Sequence, residues 1–365
     1  MKIRYWLLAI VAICAMSLLA SCSQTAVSTT SASAISSTQQ STQTVKSTTA
    51  SPSGEVYTLS FGVSSDETQG HLNYNPVTNR FKDRVYEMSG GRIIIKSKVD
   101  LVPDTEIPMA VIDGRLDMGN FMTNWSSGTF PTWDFSLPFM FKNISQFEKL
   151  TQDPEFINIM RDSYAAKGLY YLGEDEIGGN NVIWSNKPLG TVDDLKNLKI
   201  RSGGLMPTVA LKELGAAPVT MTFSEVAEAM NRGTIDAIVC DLVWAPQVGM
   251  MDVAKYVDNW GINIVGGSPQ IMNLEKWNSL PPDLQTILSD AIWEQIRADN
   301  WARYLVELQM DKIISNVGKV QIITPDTAEI DKASQIAIPK VQEEWLKVAE
   351  PCGTDLLKLI QKYTE

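Results

Sequence analysis

The stretch Lys199-Ile200-Arg201, followed by Ser202-Gly203-Gly204, is where residue type and spacing most clearly offer chemistry. The first three residues read as a short strand and the glycines as its exit. In open α/β sheets, ligands gather outside the carboxyl ends of strands. An arginine there presents a planar, permanently charged fork that accepts a carboxylate through two parallel hydrogen bonds. Glycines beside it let backbone approach a ligand closely. A salt bridge to one of the chain's own 42 acidic side chains would satisfy the same arginine.

Other chemistries find little support. The single histidine, His71, argues against histidine-based metal sites and against a Ser-His-Asp triad. It follows Gly70 at the start of an expected helix, where a capping or surface role suits it. The four cysteines, Cys14, Cys22, Cys240 and Cys352, lack the C-x-x-C spacing of zinc ribbons and thioredoxin-like sites. No phosphate-binding glycine loop, dinucleotide fingerprint, H-E-x-x-H or G-x-S-x-G is present. With 42 carboxylates, a glycosidase-like pair would arise by chance alone. A net charge of −11 argues against nucleic acid, which needs basic patches. No catalytic residue, cofactor or metal is expected.

The elements that must position Arg201 are α/β in character. Residues 56–63 alternate as a first strand, 71–88 carry helical spacing, and Ser89-Gly90-Gly91 stops that helix. Residues 92–99 read as a strand, 104–113 as a helix and 116–119 as a strand. The same order returns with strands at 170–173 and 181–184, a short helix from Thr191 and a strand at 198–201. A helix at 207–214, a helix opened by Thr222 and a strand at 234–239 follow. Two similar lobes with largely parallel sheets are therefore expected. Pro281-Pro282-Asp283 opens a long helix with the stripe Leu284, Ile287, Leu288, Ile292, Leu305, Leu308 and Ile313, ending near Gly318. At 1.5 Å per residue it would run roughly 50 Å and lie across both lobes. Amphipathic helices close the chain. A length of 365 residues and 44% hydrophobic content suit two such lobes.

The amino-terminal end reads as processing signals. Lys2 and Arg4 precede an apolar run from Trp6 to Ala20, which ends in Leu19-Ala20-Ser21-Cys22. Small residues before a cysteine here resemble the bacterial lipoprotein signal, which implies that residues 1–21 are removed and Cys22 is lipidated. Losing Lys2 and Arg4 leaves 29 basic groups against 42 acidic ones, net −13. Residues 22–54 form a Ser/Thr-rich tether: 18 of the 32 residues at 23–54 are Ser or Thr, too polar to fold alone. Such a tether spans roughly 30 Å on average. A disulfide between Cys240 and Cys352 and two free thiols are both compatible with the sequence.

The motifs LKNLKIR at 195–201, LGAAPV at 214–219, FSEV at 223–226 and GTIDA at 233–237 resemble the solute-binding proteins of TRAP transporters (tripartite ATP-independent periplasmic, DctP type). SGGRI at 89–93, GRLDM at 114–118, LPFMF at 137–141, VAKYV at 253–257 and LPPDL at 280–284 fit the same family in order. The resemblance implies a periplasmic-binding-protein-like fold of two lobes joined by crossing strands, braced by the long helix. It places lobe 1 at 55–177 with 267–318 returning to it, and lobe 2 at 178–266 with 319–365. It implies a small organic acid bound in the cleft, with Arg201 on its carboxylate. Phe223 would line the pocket, or else sit in the core at a helix start. Asn181 stands where a second polar or charged contact is usual, and as asparagine it offers no charge to a second carboxylate. Ser64, Met122 and Thr123 match pocket positions of the first lobe.

Some positions depart from the pattern. The run Ala237-Ile238-Val239-Cys240-Asp241 replaces the usual glycine and polar residues. Cys240 and Asp241 stay near the expected pocket, but Asp241 and Trp244 are displaced from the acid and tryptophan of cation-assisted keto-acid binders. Met122 replaces the polar residue of sialic-acid binders. With Trp125, Trp133 and Trp184 nearby, an aromatic or aliphatic monocarboxylate is expected rather than a sugar acid, unless these tryptophans are core. The expected protein is a monomeric receptor, not an enzyme. It would be lipid-anchored on the outer face of the cytoplasmic membrane and deliver its acid to an ion-coupled TRAP permease. A binding lipoprotein of an ATP-driven importer, an extracellular carboxylate-processing enzyme and a sensor lipoprotein are the alternatives.

Overall fold

The computed structural model describes residues 54–63, 76–99, 101–124, 126–317 and 319–364. Cys22 with the expected signal and tether, and also Ser64, His71 and Trp125, lie outside the described residues. The strands are β1 (Tyr57–Val63), β2 (Ile93–Val99), β3 (Met118–Asn120), β4 (Leu169–Asn180), β5 (Val182–Ser185), β6 (Lys199–Arg201), β7 (Ala217–Val219), β8 (Ala237–Cys240), β9 (Tyr256–Asp258), β10 (Ile264–Asn273) and β11 (Gln321–Ile323). The helices are α1 (Pro76–Met88), α2 (Ile107–Ile112), α3 (Ile144–Thr151), α4 (Pro154–Ala165), α5 (Leu205–Glu213), α6 (Val226–Asn231), α7 (Met250–Val253), α8 (Leu274–Ser279), α9 (Pro282–Val317), α10 (Thr327–Leu346) and α11 (Gly353–Thr364).

The first sheet runs β2-β1-β3-β10-β4. β1 pairs parallel with β2 and β3, as the β-α-β-α-β pattern requires. β10 is antiparallel to both β3 and β4. The second sheet runs β11-β9-β5-β8-β6-β7. β6 lies parallel between β7 and β8, while β5 is antiparallel to β8 and β9. Both sheets are therefore mixed α/β, as expected. Alternation splits the second sheet into two apolar faces. Ile183, Ile200, Ala237 and Val239 join one core cluster, and Val182, Trp184, Ile238 and Cys240 join another.

Short links join the sheets. Only Asn181 separates β4 of the first sheet from β5 of the second, and residues 259–263 return from β9 to β10. These crossings are tied together. The Asn181 N–H donates to the Asn263 carbonyl at 2.7 Å, and the Ile262 N–H donates to the Asn181 carbonyl at 3.1 Å. The long helix α9, 36 residues, makes the third link. Leu284, Leu288, Ala291, Ile292 and Ile296 fill the core beside β1 and β4, while Ile314 is buried beside β9. Its middle departs from the expected stripe. Leu305 is exposed, with Trp301 and Tyr304, because this stretch runs between the two cores.

Several elements escaped the sequence pattern. β10 contains Gly266-Gly267-Ser268-Pro269, which reads as a strand breaker. Helices α3 and α4 carry side-chain N-caps at Asn143 and Asp153. Asp153 also holds the carboxyl terminus in place. It accepts from Tyr363 Oη at 2.5 Å and Lys362 Nζ at 2.9 Å, which docks α11 on α4. Hydrogen bonding to Tyr363, then Lys362, pulls its pKa down to about 2. A depressed carboxylate pKa stabilises above the ordinary value of about 3.9 and is lost as pH falls through the folded value. Asp153→Ala is expected to cost about 1–3 kcal/mol at pH 7. The difference from wild type should shrink between pH 4 and pH 2, as measured by urea denaturation across pH.

Candidate functional site

Arg201 ends β6, between β7 and β8, so its backbone is fixed on both sides. Its neighbour Ile200 points into one core, and alternation turns Arg201 to the opposite face, toward Cys240 and Phe223. The guanidinium carbon lies 5.4 Å over the Phe223 ring. Phe223 is itself set by a capping box, in which the Thr222 N–H donates to Glu225 Oε2 at 3.1 Å. A Cβ on Gly203 would stand 3.2 Å from Arg201 Nη1, so a bare backbone there leaves the fork its space.

The electrostatics of this arginine are unusual. Its Nε is buried and has no hydrogen-bond partner, and no carboxylate pairs with it among the described residues. Burial pulls the guanidinium below its ordinary pKa. The adjacent Cys240 thiol is pushed well up, chiefly by burial and then by Asp241. Asp241 does not neutralise the arginine through its Oδ1, which accepts the N–H groups of Val243 at 2.7 Å and Trp244 at 2.8 Å and fixes the turn after β8.

The two sheets meet beside Arg201. Gly204 has φ 111, and its ideal Cβ would lie 3.6 Å from Asn124 Cβ. A side chain at 204 would be strained and would press against the loop after β3. In that loop Thr123 is buried, and its N–H donates to the Gly267 carbonyl at 2.9 Å. Met122 is half-buried beside it. Arg201, Phe223, Cys240, Met122 and Thr123 are thus brought to one junction between the sheets.

Three expected positions read differently in the fold. The Asn181 side chain donates to Asn263 Oδ1 at 3.0 Å, so its amide hydrogen serves the crossing strands. Trp184 is fully buried in the second sheet's core, although its indole N–H has no partner. Trp133 is also core: it stacks on Tyr164 at 3.9 Å and on Phe130 at 4.2 Å, with its N–H on Ser163. The sequence reading missed Asn124 and Glu174, both with buried oxygens lacking partners. Both cysteines of the described residues are free. Cys240 is expected to resist iodoacetamide at pH 8 in the folded protein and to react in urea. Peptide mapping by mass spectrometry measures this, and native-state labelling at a free-thiol rate would contradict the burial.

The comparisons agree with this architecture. The family model described as "Bacterial extracellular solute-binding protein, family 7" matches residues 63–347. A 2,3-diketo-L-gulonate-binding periplasmic protein of Escherichia coli is 29% identical over 320 residues, covering 83% of this chain and 91% of that protein. A TRAP periplasmic solute-binding protein from Ochrobactrum anthropi superposes with TM-score 0.75 at 20% identity, over 84% of this chain and 96% of that one. A Bordetella pertussis extracytoplasmic solute receptor that binds pyroglutamic acid does so with TM-score 0.73 at 19% identity, over 84% and 100%. With most of its length inside the family match and its two sheets arranged as in these receptors, the chain belongs to the bacterial extracellular solute-binding proteins of family 7.

Proposed function

We propose that this protein is an extracytoplasmic receptor for a small organic acid, with Arg201 as the partner of the solute's carboxylate. The observation that carries the reading is the half-buried guanidinium at the junction of the sheets, its Nε buried without a partner and no carboxylate pairing with it among the described residues. A buried charge is stable only when paired and hydrogen-bonded. A carboxylate fits the fork, and Phe223 beneath the guanidinium shields that pair from water. Met122 and Thr123 would contact the solute from the first sheet's side. Cys240, close enough to Arg201 for the two to interact electrostatically, would line the same place. The relatives' ligands, a keto-gulonate and pyroglutamic acid, are of the same chemical class.

The wider setting belongs to the same proposal. Residues 1–21 would direct export, Cys22 would carry the lipid, and residues 22–54 would tether a monomeric body to the outer face of the membrane. Delivery would be to an ion-coupled TRAP permease. The family match favours this over a receptor of an ATP-driven importer. Closure of the lobes can be driven only by tighter binding to the closed form.

Native mass spectrometry of the purified protein is expected to reveal a co-purifying acid, or binding of an added one such as pyroglutamate. A ligand at 100 times its Kd should stabilise the fold by about 2.7 kcal/mol. Arg201→Ala should weaken binding about 100-fold or more. Binding of the acid at wild-type affinity by that variant would overturn the role of Arg201.

A further inference from the structure

Glu174 lies in the middle of β4, and its position follows from a bulge. Gln270 of β10 pairs with Gly173, but Ile271 pairs with Tyr171, so Leu172 is an extra residue. Before the bulge, Leu169 and Tyr171 face one core while Tyr170 and Leu172 face the core of α9. After it the parity reverses. A Cβ on Gly173 would point at Ile296 and Trp293 of α9, and Glu174 therefore turns to the Tyr171 side.

On that side it reaches the junction described above. A Cβ on Gly267 would collide with Thr123 Oγ1 and stand 3.2 Å from Glu174 Oε1. Gly267, with φ 97, is the residue that lets these two side chains share one place. Thr123 precedes Asn124; a Cβ on Gly204 would lie 3.6 Å from Asn124 Cβ, and one on Gly203 would lie 3.2 Å from Arg201 Nη1. Glu174 and Arg201 thus lie on either side of the place where the Thr123-Asn124 loop faces Gly203-Gly204.

Glu174 is 1% exposed; no well-formed hydrogen bond reaches either carboxyl oxygen, and the Tyr171 hydroxyl is its near polar neighbour. The hydroxyls of Tyr171 and Tyr164 and the side-chain oxygens of Gln270 and Asn124 are buried without partners as well. Buried polar groups are nearly always satisfied, so such a concentration beside the interlobe contact calls for an explanation. A purely structural carboxyl would hold its neighbours by hydrogen bonds, as Asp258 holds the Leu189 N–H at 2.8 Å.

We propose that Glu174, with Thr123 beside it, is a solute-binding residue of the cleft that Arg201 serves, reading a polar group of the solute away from its carboxylate. This rests on the receptor reading above. Burial also pushes the Glu174 carboxyl well above its ordinary pKa. A carboxyl this deeply buried, with no cation acting on it among the described residues, favours its neutral form, with an O–H that donates and a C=O that accepts. The complementary solute group is uncharged and likewise both donates and accepts, as an amide or lactam does. The solute class is a monocarboxylate bearing such a group.

The probes are pyroglutamate and cyclopentanecarboxylate, five-membered rings that both carry a carboxylate and of which only the first has a lactam. Calorimetric titration of wild type is expected to show pyroglutamate binding the more tightly. Glu174→Leu should weaken pyroglutamate about 30-fold while changing cyclopentanecarboxylate less than about 3-fold. Glu174→Gln, which keeps a donor and an acceptor, should retain pyroglutamate within about 10-fold and serves as the check if the leucine variant fails to fold. Equal weakening of both probes by either variant marks a structural role and overturns the proposal. Unchanged pyroglutamate binding by Glu174→Leu, with loss in Arg201→Ala, overturns it while the receptor reading stands. If wild type binds neither probe and native mass spectrometry finds no acid, both readings fall together.

Discussion

A guanidinium with its Nε buried and no counter-charge among the described residues is the constraint on which the arrangement depends. Removing such a charge from water costs several kcal/mol unless hydrogen bonds and an opposite charge replace the water. The scaffold meets that cost by rigidity. β6 is held between two parallel neighbours, Phe223 lies under the fork, and Gly203 leaves it room. The nearest titratable groups do not quench it. Burial raises the Cys240 thiol, and Asp241 Oδ1 is engaged with two backbone N–H groups.

The links between the sheets decide how that junction can open. Two strands cross within a few residues of each other and are hydrogen-bonded at Asn181 and Asn263. Packed strands resist stretching but tolerate a small rotation, which is the geometry of a hinge. The long helix contributes its first half to one core and Ile314 to the other. Its exposed middle, at Trp301, Tyr304 and Leu305, has few packing contacts to break when the sheets shift. Gly204 lets Asn124 come close without a side chain between them, so the lobes meet beside the charge rather than around a wide gap.

How far the sequence could be read depended on local rules holding. Arg201 was legible because a short strand, a charged residue and two glycines mark the carboxyl end of a sheet strand without knowledge of neighbours. The span of α9 was legible from Pro281-Pro282-Asp283 and a sustained helical period, but not which of its residues face water, since the gap between the cores is a tertiary fact. β10 was hidden by Gly266, Gly267 and Pro269. Pro269 is tolerated because β10 is irregular there, with register shifts on either side. Glu174 was hidden most deeply. Strict alternation from Leu169 puts it beneath α9, and only the extra residue at Leu172 turns it to the junction. An isolated acid run, Glu174-Asp175-Glu176, after the apolar Tyr170-Tyr171-Leu172 was the available signal.

The chain's charge now has a local reading. A protein of net −11 repels an anion at long range, but across solvent that repulsion fades within about 8–10 Å at ordinary salt. Many of its acids sit in solvent-facing helical pairs, such as Glu343 and Glu344 with Lys340 and Lys347. Their fields are largely cancelled before they reach the interior. In the drier junction the same charge acts several-fold more strongly, and there Arg201 has no paired carboxylate among the described residues. Burial disfavours the charged form of Glu174, the carboxyl beside Thr123. The net charge and the local field of the junction can thus differ in sign, so an acidic body does not by its overall charge exclude an anion there.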